Sequence, residues 1–109
     1  MTQQDSMKQA VETLEAAMKA ADLWRLEQPA AQAFASQTPF CVDTMSLPQW
    51  LRFVLIPKLN ALLDANAALP ASSSIAPAAE LYLKEYRYST RISLIQALER
   101  IDGVMNGTH

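Results

Sequence analysis

The sequence predicts an all-α fold, a small antiparallel four-helix bundle. Three observations carry that expectation. Alanine and leucine dominate the apolar residues and β-branched residues are sparse, which favours helix over strand. Apolar side chains recur every three to four positions in four separate segments, the spacing of one helical face. No segment alternates apolar and polar residues as a half-buried strand would. Four amphipathic helices hide their stripes best against one another. The chain has 109 residues, half of them apolar, enough for one core and a single domain over 1–109.

The first helix is expected over about residues 4–24. Met7, Ala10, Val11, Leu14, Ala17, Met18 and Ala21 form its stripe. Thr2 and Asp5 are both candidate N-caps, and Glu15 precedes Lys19 by four positions, the favourable order for a helical ion pair. The second helix starts near Ser46. Ser46-Leu47-Pro48-Gln49 has the form of a capping box, and proline in a first turn removes no helical hydrogen bond. Leu47, Trp50, Leu51, Val54, Leu55, Leu59, Leu62 and Leu63 keep helical phase across Pro57. Pro57 therefore predicts a kink in one helix and not a break, because its ring displaces the bond to the Phe53 carbonyl.

Residues 65–74 read as a loop of small and polar residues. A short third helix follows over about 77–87, with Pro77 in its first turn. Ile75, Ala78, Ala79, Tyr82, Leu83 and Tyr86 lie on its inner face, and Glu80 and Lys84 form a second spaced pair. Ser89 or Thr90 caps the last helix. Its core side is the Arg91 stem, Leu94, Ile95, Leu98, Ile101 and Met105, and Asn106-Gly107 is its stop. The connection from about Arg25 to Met45 is far longer than bundle loops usually are. Pro39-Phe40-Cys41-Val42 within it is apolar and extended in character. The 36–45 segment is thus expected to be a strap on the bundle, with Phe34 and Phe40 buried and Phe40 held against Trp50.

Several function classes lose support at once. A net charge of −2 gives no global attraction to nucleic acid or acidic membranes. No apolar run is long enough for a membrane span, and MTQQDSMKQA lacks the pattern of a signal peptide. Lone Cys41 suits a reducing, cytoplasmic setting and reads as a small buried hydrophobe, with no sequence-adjacent base to make it a nucleophile. The single histidine, His109, is the last residue, and no zinc ligand set exists without a second His or Cys. There is no phosphate-binding glycine loop, no nucleophile-elbow motif and no carboxylate pair at catalytic spacing. No cofactor is expected.

The remaining candidates form a binding surface: Trp24, Arg25, Phe40, Asp43, Thr44, Met45, Trp50, Arg52 and Lys58. Asp43-Thr44 precedes the central helix, either as a presented carboxylate and hydroxyl or as a local cap, with the cap favoured. Trp24, Phe40, Met45 and Trp50 read as core first and as a pocket lining second. No acidic residue occurs between Thr44 and Leu63, whereas Arg52 and Lys58 do, on different helix faces unless the kink turns one of them. A second cluster from Lys84 to Arg91 interleaves bases with tyrosines. Such patches can hold single-stranded RNA, but Glu80 and Glu85 dilute this one, so direct nucleic-acid binding is not expected.

The block from Phe34 to Met45 contains Ser36, Pro39, Phe40, Asp43 and Thr44. With Gln49-Trp50-Leu51, Val54-Leu55-Ile56-Pro57, Leu69-Pro70 and Ile75-Ala76-Pro77, it resembles the signature of the YqcC-like family. So do Leu14-Glu15 and Trp24-Arg25 ahead of it, and the likeness spans roughly residues 10–100. The resemblance implies a small, all-helical bacterial protein from a family of unknown function. It also implies an association, by gene neighbourhood and name, with a tRNA pseudouridine synthase. Such a catalytic domain is far longer than this chain and Asp43 does not sit in its active-site motif, so the expected role is accessory. The leading expectation is a non-enzymatic binding protein whose partner is that synthase. A carrier of a small apolar ligand in the bundle interior is the alternative, an enzyme using Asp43 as general base ranks last, and a homodimer stays open.

Overall fold

Helix begins immediately after Thr2, whose side chain accepts from the Asp5 amide at 3.1 Å while Asp5 reaches back to the Thr2 amide at 3.4 Å. The two candidate caps are therefore the two halves of one capping box. The computed structural model describes residues 2–107, and His109 lies outside them. All regular structure among the described residues is helical: α1 (Gln3–Ala20), α2 (Leu47–Trp50), α3 (Ile56–Asp64), α4 (Ile75–Tyr82) and α5 (Tyr88–Met105). A π-helical turn over Leu51–Leu55 joins α2 to α3 without interruption, so the chain presents four helical rods. No described helix is long and apolar enough to cross a membrane.

Helix α1 is shorter than its apolar stripe. It stops at Ala20 because Asp22 turns left-handed (φ 61°) and the chain folds back. The Leu23 amide then donates to the Met18 carbonyl at 2.8 Å and the Asp22 amide to Lys19 at 3.1 Å. These bonds satisfy carbonyls that the helix end would leave open. Helix α3 ends the same way, with Asn66 left-handed and Ala67 donating to Leu62. Gly107 (φ 83°) does the same after α5, at the expected stop.

Where a kink at Pro57 is expected, the structure has a π-helical turn just ahead of the proline. The Ile56 amide donates to the Leu51 carbonyl, five residues back. That wide turn absorbs one extra residue beside the proline, whose nitrogen has no hydrogen to give. It also rotates the inner face, so Ile56 joins Leu51, Leu55 and Leu59 in the core while Val54 stays at its edge. Helix α4 runs over Ile75–Tyr82 and so starts and ends earlier than expected. Lys84 lies beyond its end, and the Glu80–Lys84 pair does not form. Lys19–Glu15, at 3.0 Å, is the ion pair found among the described residues.

The core is a seam of fully buried aliphatics: Met7, Leu14 and Met18 of α1 against Leu94, Leu98 and Ile101 of α5. Gln3 donates to the Val104 carbonyl and Arg100 to Gln9, so α1 and α5 run in opposite directions. The start of α4 is tied to the end of α5. Buried Asp102 accepts from the Ile75 amide (3.0 Å), the Ala76 amide (2.8 Å) and the Ser73 hydroxyl. A carboxylate from another helix thus caps α4, whose own Ser74 does not.

The long connection is less extended than a strap. It forms two short 3-10 turns, Ala31–Ala35 and Pro39–Cys41. Phe34 and Phe40 are half-buried rather than buried. Phe40 and Cys41 both adopt left-handed backbone (φ 59° and 51°), which folds the segment back on itself. The Phe40 ring nonetheless meets Trp50 edge-to-face, with centroids 4.9 Å apart, and Tyr82 closes on it at 6.4 Å.

Candidate functional site

The nine candidate residues do not share one site; the fold sorts them into separate places. Asp43 and Thr44 hold the connection together. Ser36 donates its hydroxyl to Asp43, and Thr44 donates to the carbonyls of Ala33 (2.8 Å) and Cys41 (3.2 Å). Neither caps α2, because Ser46 and Gln49 already do so reciprocally at 3.2 and 2.9 Å. The cap expected of Asp43-Thr44 is therefore replaced by a loop clasp. Hydrogen bonding from Ser36 above all holds the Asp43 carboxyl below its usual range. A general base working near neutrality needs the opposite shift.

Met45 is buried, and it borders a depression of about 400 Å³ between the 42–47 segment and the end of α4. Trp50 and Lys58 edge a different recess of about 240 Å³, with Pro70 and Met105 across from them. Lys58 thus faces away from Arg52, as their six-residue spacing requires.

Trp24, Arg25 and Arg52 do come together. The turn after α1 carries Trp24 onto the π-helical turn, where the Arg52 guanidinium lies 4.0 Å from the centre of the Trp24 ring. The Nε of Arg52 donates to the Trp24 carbonyl at 3.3 Å, so the stack is fixed at two points. Arg52 also lies 5.1 Å from the Phe53 ring, and the Lys19 ammonium 5.2 Å from Trp24. Gln49, through its side-chain amide, donates to the Glu27 carbonyl at 2.9 Å and ties down the far side of the same turn. The result is a surface depression of about 650 Å³ bordered by Lys19, Asp22, Trp24, Arg25, Arg52 and Phe53.

This corner holds four charged side chains, Lys19, Asp22, Arg25 and Arg52. It offers cations on a stiff aromatic base, with Arg25 exposed at its rim. The sequence pattern alone does not point to Lys19, which it pairs with Glu15, or to Phe53. Phe53 lies off the apolar stripe, and the signal that could have found it is its position directly after Arg52. Among the described residues no cluster of His, Cys, Asp and Glu could hold a metal ion.

Comparison with known proteins shows the following. The family DUF446, described as tRNA pseudouridine synthase C, matches residues 6–104. An uncharacterized protein of Haemophilus influenzae is 44% identical over 79 residues, covering 72% of this chain and 74% of that relative. The uncharacterized protein YqcC of Escherichia coli is 34% identical over 104 residues, 95% of this chain and 94% of its own length. A tRNA pseudouridine synthase C of Pectobacterium carotovorum is 36% identical over 72 residues, 66% of this chain but only 19% of that protein. The solution NMR structure of YqcC from Escherichia coli superposes with a TM-score of 0.83 at 32% identity, covering 100% of this chain and 92% of that one.

Proposed function

We propose a function from one premise: this chain belongs to the DUF446 family, the YqcC-like proteins, whose family description is tRNA pseudouridine synthase C. Its role is that of a non-enzymatic accessory protein that docks on a tRNA pseudouridine synthase. The observation that carries this reading is the Pectobacterium relative. There, a stretch similar to two thirds of this chain occupies about a fifth of a polypeptide named for the synthase. A segment carried within another protein's chain is held beside it at high effective concentration, as a docked partner would be. The Trp24–Arg52 corner agrees with docking, because aromatic and arginine side chains are enriched where proteins meet.

In this reading the four rods form an antiparallel bundle, and the folded 36–45 segment packs over its Trp50 end through Phe40. The apolar-ligand carrier is less well supported. The apolar recess beside Trp50 is about 240 Å³, below the roughly 300–1,000 Å³ of common ligand pockets.

Affinity purification of the tagged full chain, together with tRNA from a strain lacking it, tests the reading. The expected result is recovery of the synthase with the chain and reduced pseudouridine at the synthase's tRNA site in the deletion strain. Unaltered modification and no recovery of the synthase would remove the proposal.

A further inference from the structure

The Trp24–Arg52 corner carries charge that the fold leaves unanswered. Three cations, Lys19, Arg25 and Arg52, border the depression against one carboxylate, Asp22. Lys19 is already shared with Glu15, whereas Arg25 and Arg52 form no ion pair among the described residues. At the end of α1 the carbonyls of Ala17, Met18 and Lys19 receive the amides of Ala21, Leu23 and Asp22, which fixes the backbone beneath the depression. An anion approaching here meets two guanidinium groups, one of them braced on Trp24 and on its carbonyl.

We propose that this depression receives a carboxylate-bearing, acidic segment of a partner protein, gripped by Arg25 and Arg52. The inference rests on the accessory reading above and names the surface through which it works. Three observations favour a peptide over RNA. The Trp24 ring is stacked by Arg52 and approached by Lys19, and the same guanidinium lies 5.1 Å from the Phe53 ring, so a base stacking on either ring would compete with a cation already beside it. The chain as a whole is net negative, which weighs more against a long polyanion such as tRNA than against a short acidic segment held locally. Leu26 and Phe53 give the depression an apolar lip, suited to an acidic residue with an apolar neighbour.

Calorimetric titration of the full chain decides the matter, with three probes: the tRNA pseudouridine synthase C of the same organism, an oligoglutamate peptide, and unmodified tRNA. Arg25→Gln is the principal variant because Arg25 is exposed and its loss leaves the fold alone. Arg52→Gln is the second, and Arg25→Gln decides alone if that one misfolds. The expected result is synthase binding weakened about tenfold or more by each variant, with oligoglutamate as a weak competitor. Synthase binding unchanged in Arg25→Gln would overturn the inference and leave the accessory reading standing. If wild-type chain does not bind the synthase, the accessory reading fails, and the peptide alone decides. Arginine-dependent oligoglutamate binding then supports the inference, and its absence ends it. Arginine-dependent tRNA binding without oligoglutamate binding would overturn it in favour of RNA.

Discussion

Single residues do most of the positioning in this protein, and two of them are charged. Asp102 is buried and spends its carboxylate on the amides of Ile75 and Ala76 and the hydroxyl of Ser73. Asp102→Ala leaves those donors without partners and is expected to cost about 2–4 kcal/mol in denaturant unfolding. Asp102→Asn, which keeps the shape and one acceptor oxygen, should cost less. Sequence pattern does not reveal this cap, because its targets are 26 and 27 residues away. Asp43 is the second case. Its folded carboxyl is held down by Ser36, so its contribution to stability is present above the ordinary aspartate value and is lost as pH falls through the lowered one. An NMR titration should therefore place Asp43 below the ordinary aspartate value, and Ser36→Ala should move it back up.

Some element boundaries follow local signals in the sequence, whereas the start of α5 does not: it begins at Tyr88, and neither Ser89 nor Thr90 caps it. Thr2 with Asp5, Ser46 with Gln49, and Asn106-Gly107 are local signals, and each one marks a real boundary. Ser46→Ala should lower stability by about 1 kcal/mol in chemical denaturation, with α2 the element affected. The end of α1 was not readable in the same way. The apolar stripe continues to Ala21, and nothing local forbids helix until Pro29, yet Asp22 turns left-handed to seat Leu23 and Trp24. Asp22→Gly relieves that conformation and should raise the unfolding midpoint by the equivalent of about 0.5 kcal/mol. The π-helical turn escaped for a related reason. A strict 3.6-residue repeat places Ile56 off the inner face, and only the bond from its amide to Leu51 brings it in. The long connection was correctly singled out as unusual, but its two left-handed residues depend on packing that no local pattern encodes.

At the scale of the whole molecule, one aliphatic seam joins α1 to α5, with the other elements packed around it. Leu14→Ala or Leu98→Ala should each cost about 2–5 kcal/mol, through a single cooperative transition. The stripes of these helices were legible because burial follows helical phase. The candidate surface was legible only in part. Trp24, Arg25 and Arg52 lie near one another because the chain reverses after α1, while Phe40, Met45, Trp50 and Lys58 are carried to other sides. Residues far apart in sequence meet only through that reversal, so their chemistry could be named in advance but not their grouping. Exposed apolar side chains lie elsewhere, at Leu81 and Tyr88, and offer a rival surface. Hydrogen–deuterium exchange of the full chain with and without the tRNA pseudouridine synthase separates the two most directly. Protection is predicted over residues 22–28 and 50–54, around the Trp24–Arg52 stack. Protection confined to 81–88, or no protection anywhere, would contradict it.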